Sequence, residues 1–275
     1  MTGSRFRRTL AAAAAAGLAI TLAACTPTAT TSEYVTDGKL TIGTGEPAYY
    51  PWVIDDAPET GEGFEAAIAY AVAEELGFAA EDVVWVRTGF EEAIAPGAKD
   101  FDFNLQQFTI TDDRAKAVDF SSPYYETTQA VITTAGSAAA EATSIAELKD
   151  LLIGAASGTT SLVAIEEQIA PTAGAQVFNT NDDAKLALEN GQVDAIVVDL
   201  PTAFYLTGVE LTDGIIVGQL PELTAGGDAF GLVLAKDSPL TARVTAAVDA
   251  LRESGRLQEI ADEWLAEAAN APVLK

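Results

Sequence analysis

The chain has 275 residues, 49% of them hydrophobic and 20% charged, with 15 Lys+Arg against 41 Asp+Glu, no histidine, one cysteine and one methionine, enough for one or two domains with a substantial core. A net charge of -26 repels a phosphate backbone, and no basic stripe is present to release counterions, so nucleic-acid binding is excluded. Without imidazole there is no Ser-His-Asp or Cys-His chemistry and no His-ligated zinc, and a single thiol excludes internal disulfides and Cys-rich metal sites.

In chain order, Arg5, Arg7 and Arg8 precede an uncharged Ala/Leu/Ile run from Leu10 to Ala24. The run is shorter than the roughly 20 residues that span a bilayer, so residues 1–24 read as an export signal. Leu22-Ala23-Ala24-Cys25 resembles a bacterial lipobox, in which cleavage precedes the cysteine and its thiol is lipidated; the alternative is that Cys25 is an ordinary small residue of a signal peptide. Thr26 to Asp37 is rich in Thr, Pro, Ala and Ser and aperiodic, which makes residues 25–38 a flexible tether. Cleavage before Cys25 removes three arginines and no acid, so the mature body is more acidic than the whole chain.

From Lys39 the pattern becomes α/β. Lys39 to Gly43 reads as a strand; Gly63 to Gly77 reads as a helix with Phe64, Ile68, Val72 and Leu76 on one stripe and Gly77 at its end. Strand Val83–Val86, a helical turn Phe90–Ala95 and strand Phe101–Leu105 follow, then a β-type run Gln129–Thr134. Periodicity is lost over Ala135 to Ala142, the pattern of a domain crossing. A second series begins at Ser144, an N-cap for Ile145–Asp150, and continues through strand Leu152–Ala156 and helix Gly158–Ile169. Next come strand Gln176–Phe178, helix Asp182–Asn190, strand Val193–Val198, which runs without polar alternation as a strand covered on both faces does, a short helix Pro201–Gly208 and strand Ile215–Val217. Ala229–Ala235 reads as one strand, and two amphipathic helices divided by Gly255 end the chain. Alternating strands and helices predict parallel sheets with ligands at the strands' carboxyl ends.

Locally, Thr111 is a good N-cap and Asp112 and Asp113 suit a helix start, but Arg114 falls at N3, where a cation is mildly unfavourable. An arginine placed there either faces an anion that its planar fork can hold in two hydrogen bonds, or is a surface residue paired with a neighbouring acid.

The stretch Phe-Thr-Ile-Thr-Asp-Asp-Arg-Ala-Lys-Ala-Val-Asp-Phe-Ser-Ser-Pro-Tyr-Tyr ending at Tyr125 resembles the signature of the polar amino-acid solute-binding proteins of ABC importers, family 3. The resemblance extends to Lys39-Leu-Thr-Ile-Gly-Thr, Gly63-Phe-Glu, Ala156-Ser-Gly-Thr-Thr, Val193-Asp-Ala-Ile-Val-Val-Asp, Phe230-Gly-Leu-Val and Gly255-Arg-Leu-Gln-Glu-Ile-Ala-Asp-Glu-Trp. It implies an α/β, two-lobed periplasmic-binding-protein fold of type II with two hinge crossings: lobe 1 over 39–134 and 229–275, lobe 2 over 135–228. It also implies that Arg114 clamps the ligand α-carboxylate beside Thr109, with Thr159 and Thr160 as donors from lobe 2, and that Asp199 holds the α-ammonium. A capping role for Asp199 at the helix that follows is the local alternative. By the same resemblance Tyr49 and Phe90 wall the side-chain pocket, whereas Trp52 reads first as core. Gln106 and Gln107 stand where family members often carry small residues, which implies a narrower, amide-rich floor. The loop Gly45-Glu46-Pro47-Ala48 is one residue longer than usual and leaves open whether Glu46 reaches the ligand. One Arg, one Asp and two amides balance a zwitterion, so the expectation is a neutral polar amino acid such as glutamine or asparagine.

Two functions of different class are consistent with these residues. The first is a lipid-anchored extracytoplasmic receptor on the cell membrane, a monomer without cofactor, delivering an amino acid to an ABC permease complex. The second is an enzyme on the same fold resembling periplasmic cyclohexadienyl dehydratases, which needs a buried general acid near a bound carboxylate. Glu46 and Glu126 are the acids nearest the expected cleft, and neither sits in a catalytic pattern, so the receptor is the better reading.

Overall fold

The computed structural model describes residues 33–222, 227–265 and 271–275; the signal segment, Cys25, the tether up to residue 32 and residues 223–226, just before the expected return from lobe 2 to lobe 1, lie outside them. The chain first lays down β1 (Leu40–Gly45), whose residues are all buried, then α1 (Phe64–Glu75), which buries Phe64, Ile68 and Val72 as the stripe predicts. Gly77 follows at φ 88°, the left-handed turn that ends a helix. β2 (Val83–Thr88), α2 (Phe90–Ile94), β3 (Phe103–Asn104) and β4 (Val118–Phe120) come next. After β5 (Tyr125–Thr127) come β6 (Gln129–Thr134), α3 (Ile145–Leu148), β7 (Ile153–Ala156), α4 (Thr160–Ala164) and β8 (Gln176–Phe178). Ser144 and Glu147 close a reciprocal capping box at the start of α3, as Ser144 predicts. α5 (Asn181–Glu189), β9 (Ala195–Asp199), α6 (Leu200–Tyr205) and β10 (Gly214–Gln219) complete the middle of the chain; β11 (Asp228–Phe230), β12 (Val233–Ala235), α7 (Thr241–Glu253) and α8 (Arg256–Trp264) follow.

These strands form two five-stranded sheets, ordered β2-β1-β3-β12-β4 and β10-β6-β9-β7-β8, and a two-stranded pair, β11-β5. The first core joins Phe64, Ile68 and Val72 to Phe103, Leu232, Val244, Val248 and Ile260. The second sheet is covered on both faces, by Ile153, Ile165, Ile169 and Val197 on one side and by Ala184, Leu188, Ile196, Val198 and Leu206 on the other. Each side chain of this size removed from water contributes roughly 1.5–3 kcal/mol.

The expectation of parallel sheets holds only in part. β1 runs parallel to β2 and β3, and β7 to β8 and β9, but β6, β10 and β12 pair antiparallel with their neighbours. β6 and β12 enter their sheets straight from β5 and β11, without a helical crossover to reverse their direction.

Three boundaries also differ from expectation. β6, assigned to the end of lobe 1, pairs with β9 and β10 in the second sheet. The crossing is therefore the antiparallel pair Tyr125–Thr127 and Asp228–Phe230, whose strands are too short to show a period. The expected single strand Ala229–Ala235 is divided at Gly231, where a Cβ would lie 2.8 Å from Ile110 Cγ1, so the chain changes sheet where only glycine fits. Finally, Val273 bridges Gln219 and Leu274 is buried in the second core, which moves residues 271–275 from the first lobe to the second.

Candidate functional site

β1, β2, β7 and β9 end at one cleft: Gly45, Thr88, Ala156 and Asp199, their last residues, all line a cavity of ≈ 300 Å³. This is the carboxyl-end position that open α/β sheets give to ligands. Tyr49, Phe90, Gln106, Gln107, Arg114, Thr159, Thr160 and Asp199 line it; Thr109 lies just behind, buried.

The signature segment does not form the expected α-helix after Thr111. It makes a single 3-10 turn, Arg114–Lys116, which begins after Asp113 and not after Thr111; Thr111 Oγ1 still accepts from the Arg114 N–H at 3.2 Å. This short turn leaves the arginine side chain directed across the cleft. Arg114 Nη1 donates to Thr109 O at 2.7 Å and Nη2 to Gly158 O at 2.8 Å, and its Cζ stands 5.4 Å from the Phe90 ring centroid. Burial holds its pKa below the usual arginine value while Asp228 and Asp199 pull it back up. A guanidinium anchored to two carbonyls and one aromatic face keeps N–H groups for a carboxylate, and its surface alternative, pairing with Asp112 or Asp113, is not adopted: Asp113 pairs with Lys116 instead.

Opposite it, Gly158 at φ 70° lets the chain turn from β7 into α4. Thr159 is the N-cap of that helix; its hydroxyl accepts from the Leu162 N–H at 3.2 Å and donates to Ala156 O at 2.7 Å. Its hydroxyl is therefore committed to the cap, which leaves the backbone N–H groups at the start of α4 as the donors that the helix N-terminus offers to the cleft. Thr160 Oγ1 likewise spends its one hydrogen within the protein, donating to Asp228 Oδ2 at 3.1 Å, and lies 3.2 Å from Thr109 Oγ1 across the cleft.

Asp199 precedes α6 but makes no side-chain capping bond, so the local alternative does not occupy its carboxylate. Gln129 Nε2 donates to Asp199 Oδ1 at 2.8 Å and also to Asp228 Oδ2. Burial, reinforced by the charge of Asp228, pushes Asp199 up to about 7; Arg114 and the Gln129 hydrogen bond oppose the rise. Gln129 and Asp228 escaped the sequence reading. The available signals were an amide opening an apolar run, Gln129-Ala-Val-Ile, and an acid directly after Gly226-Gly227.

Aromatic and amide side chains complete the walls. Phe90 stacks on Phe108 at 4.8 Å. Tyr49 is pushed up to about 12 by burial and by Asp182, a residue of the second lobe, so its hydroxyl reaches across the mouth. Trp52 is core, as expected, packed against Phe64, Tyr125 and Phe230, yet it also lines the cleft. Its Nε1 donates to Thr202 Oγ1 of α6 at 2.9 Å, a bond between lobes that sequence could not reveal. Gln106 Nε2 donates to Thr88 Oγ1 and Asn104 Oδ1. Gln107, at φ 52°, donates through its backbone N–H and its Nε2 to the two oxygens of Glu65 at 2.8 and 2.5 Å. Both amides thus spend their N–H groups within the protein, Gln106 on Thr88 and Asn104 and Gln107 on Glu65. That glutamate is fully buried beneath the cleft, also accepts from Tyr124 Oη, and is raised by burial to about 7 against these hydrogen bonds.

The lining carries Glu46, Glu65, Glu91, Glu92 and Asp199 against one cation, Arg114. The balance of one Arg and one Asp, from which a neutral ligand was expected, understates the acids, because α2 brings Glu91 and Glu92 to the mouth.

Two mixed sheets joined by a two-stranded crossing, with an arginine and a carboxylate facing one cleft from opposite lobes, define a solute receptor of the type II periplasmic-binding class. The chain belongs to the bacterial extracellular solute-binding proteins, family 3, which it matches over residues 40–267. It is 29% identical over 238 residues to the L-arginine-binding protein of Pseudomonas aeruginosa, covering 84% of this chain and 89% of that one. Among solved structures it resembles an ancestral arginine-binding protein bound to glutamine (29% identity, TM-score 0.70, 84% of this chain and 100% of that one). It also resembles an ancestral arginine-binding protein bound to arginine (28%, TM-score 0.68, 82% and 98%). The chain is thus an extracytoplasmic amino-acid-binding protein of an ABC importer and not an enzyme.

Proposed function

We propose that this receptor takes an amino acid with a cationic side chain, L-arginine first among them. Arg114 holds the α-carboxylate with Thr109 and the backbone N–H groups of Thr159 and Thr160, Asp199 holds the α-ammonium, and Tyr49, Trp52 and Phe90 flank the side chain on its way to Glu46, Glu91 and Glu92. The observation that carries the reading is the surplus of acids in the lining over the one arginine: Glu46, Glu91 and Glu92 stand exposed at the mouth, where their field attracts a cationic side chain and offers a neutral one nothing. The names of the arginine-binding relatives support the same choice. Closure would gain contacts absent from an open form and so would be favoured by ligand. Lipidation at Cys25, the monomeric state and docking on a permease complex belong to the same proposal and rest on the lipobox resemblance, the tether composition and the family.

A second reading, a neutral amide such as L-glutamine, is supported by Gln106 in the lining and by the ancestral relative bound to glutamine. Thermal-shift and calorimetric titration of the full chain against the twenty common amino acids separates the two. L-arginine binding most tightly supports the proposal, L-glutamine binding more tightly overturns the cationic choice, and no binder tighter than about millimolar overturns the amino-acid site itself.

A further inference from the structure

Behind the Arg114–Asp199 axis lies a second carboxylate with no counterpart in the reading of the site given so far. Asp228 opens β11, one of the two crossing strands, and shares with Asp199 a single amide: the two N–H groups of Gln129 Nε2 point one at each acid. Gln129 itself is fixed from the other side, its Oε1 accepting from Ser161 Oγ at 2.6 Å, so the amide cannot turn away. Thr160 Oγ1 donates to the same Asp228 oxygen that Gln129 holds. Two carboxylates thus converge on one rigid amide, and the charged and titratable groups around them are Arg114, Glu65, Tyr124 and Tyr125. Glu65 differs from the pair. It is held by three donors of its own, Tyr124 Oη and the backbone and side-chain N–H groups of Gln107; burial raises it to about 7 as well, so what sets it apart is that it has no carboxylate sharing its donors. The pair has fewer donors per carboxylate and a like charge beside each, the arrangement in which two acids hold one proton between them.

We propose that Asp228 and Gln129 complete a cation subsite with Asp199, in which the two acids share one proton until the ligand α-ammonium displaces it, so that ligand binding releases a proton to solvent. The step balances: one carboxylic O–H ionises, its proton leaves to buffer, and the ammonium supplies the positive charge that both carboxylates then face. Asp228 acts through Gln129 and Thr160 and is a positioning residue; Asp199 is the contact. Burial raises Asp199 to about 7 and raises Asp228 in the same direction, which puts the proton on the pair near neutral pH. The inference rests on the α-ammonium role of Asp199.

The test is calorimetric titration of the full chain with L-arginine near pH 7 in phosphate, imidazole and Tris buffers, whose ionisation enthalpies differ. The slope of observed heat against buffer ionisation heat counts the protons exchanged. The proposal expects release of a substantial fraction of one proton at about pH 6.5, shrinking toward zero above about pH 8.5 as the pair ionises beforehand. Asp228→Asn should bring the slope close to zero and flatten the pH dependence of Kd, while Glu65→Gln should retain the release. A wild-type slope of zero with saturable binding overturns the pairing alone and needs no variant. An Asp228→Asn protein that releases as much as the parent does likewise. Absence of binding by any of the twenty amino acids overturns the pairing together with the receptor reading beneath it.

Discussion

The Trp52–Thr202 hydrogen bond offers a way to perturb lobe closure without touching the ligand groups. Trp52 is packed in the first core and Thr202 sits on α6 of the second lobe; both are buried, and the bond joining them is 2.9 Å long. Thr202→Val keeps the side-chain shape and removes the acceptor. In the closed form the indole N–H is then buried without a partner, a cost of about 1–3 kcal/mol. In an open form water reaches it, so the cost falls on closure and not on the folding of either lobe. Because apparent affinity scales with the closed population, Kd for L-arginine should rise about 5- to 150-fold. Thr202→Ser should restore most of the loss, since it returns the hydroxyl. Calorimetry supplies Kd, and thermal melting without ligand tests whether the fold itself is spared. A Thr202→Val protein that binds within twofold of wild type would refute the claim that this bond belongs to closure, and so would one in which serine fails to rescue.

Other perturbations test neighbouring parts of the account. Gly158→Ala places a Cβ 3.2 Å from the Glu91 side chain at a residue with φ 70°; the strain of about 1–2 kcal/mol should weaken binding roughly tenfold or more by titration. Asp199, raised by burial to about 7, holds a proton in the folded protein that the unfolded chain loses above about pH 4, so the contribution of this group to stability falls as pH rises across that window. Asp199→Asn should accordingly melt higher than wild type at about pH 8 and equally at about pH 4, while losing ligand affinity; an equal difference at both pH values would contradict the assignment. Glu65→Ala removes the acceptor of three buried hydrogen bonds, and urea unfolding should show a loss of about 2–4 kcal/mol. Gly43→Ala builds a Cβ 2.1 Å from Asn104 Nδ2 inside the first sheet and should lower the melting temperature by several degrees, with no compensating change in ligand preference.

The parts of this molecule legible in its sequence are those with a period or a motif. The α1 stripe of Phe64, Ile68 and Val72, the Ser144 cap and the apolar β9 run were all recoverable from spacing. The signature around Arg114 located the cleft, and eight of the nine expected residues line it. What was not legible depends on contacts between distant segments. The crossing strands are three residues long, so β6 was placed in the wrong lobe. The Gln129–Asp228 pair joins residues 99 positions apart, and the Trp52–Thr202 bond spans 150; nothing in either neighbourhood marks the other partner. At Thr159 the motif Ser157-Gly158-Thr159 reveals a helix N-terminus that suits an anion, but not that the threonine hydroxyl closes the cap and leaves only N–H groups for a ligand.

The central claim is that one amino acid is held between Arg114 and Asp199. Its most direct measurement is calorimetric titration of L-arginine into the full chain and into Arg114→Ala, with circular dichroism to establish that both are folded. Removing a half-buried guanidinium that clamps a carboxylate in a closed cleft costs about 2–5 kcal/mol, so the account predicts saturable one-to-one binding in the wild type and affinity lower by about 30-fold to several thousand-fold in the variant. Equal affinity in the two proteins would contradict it.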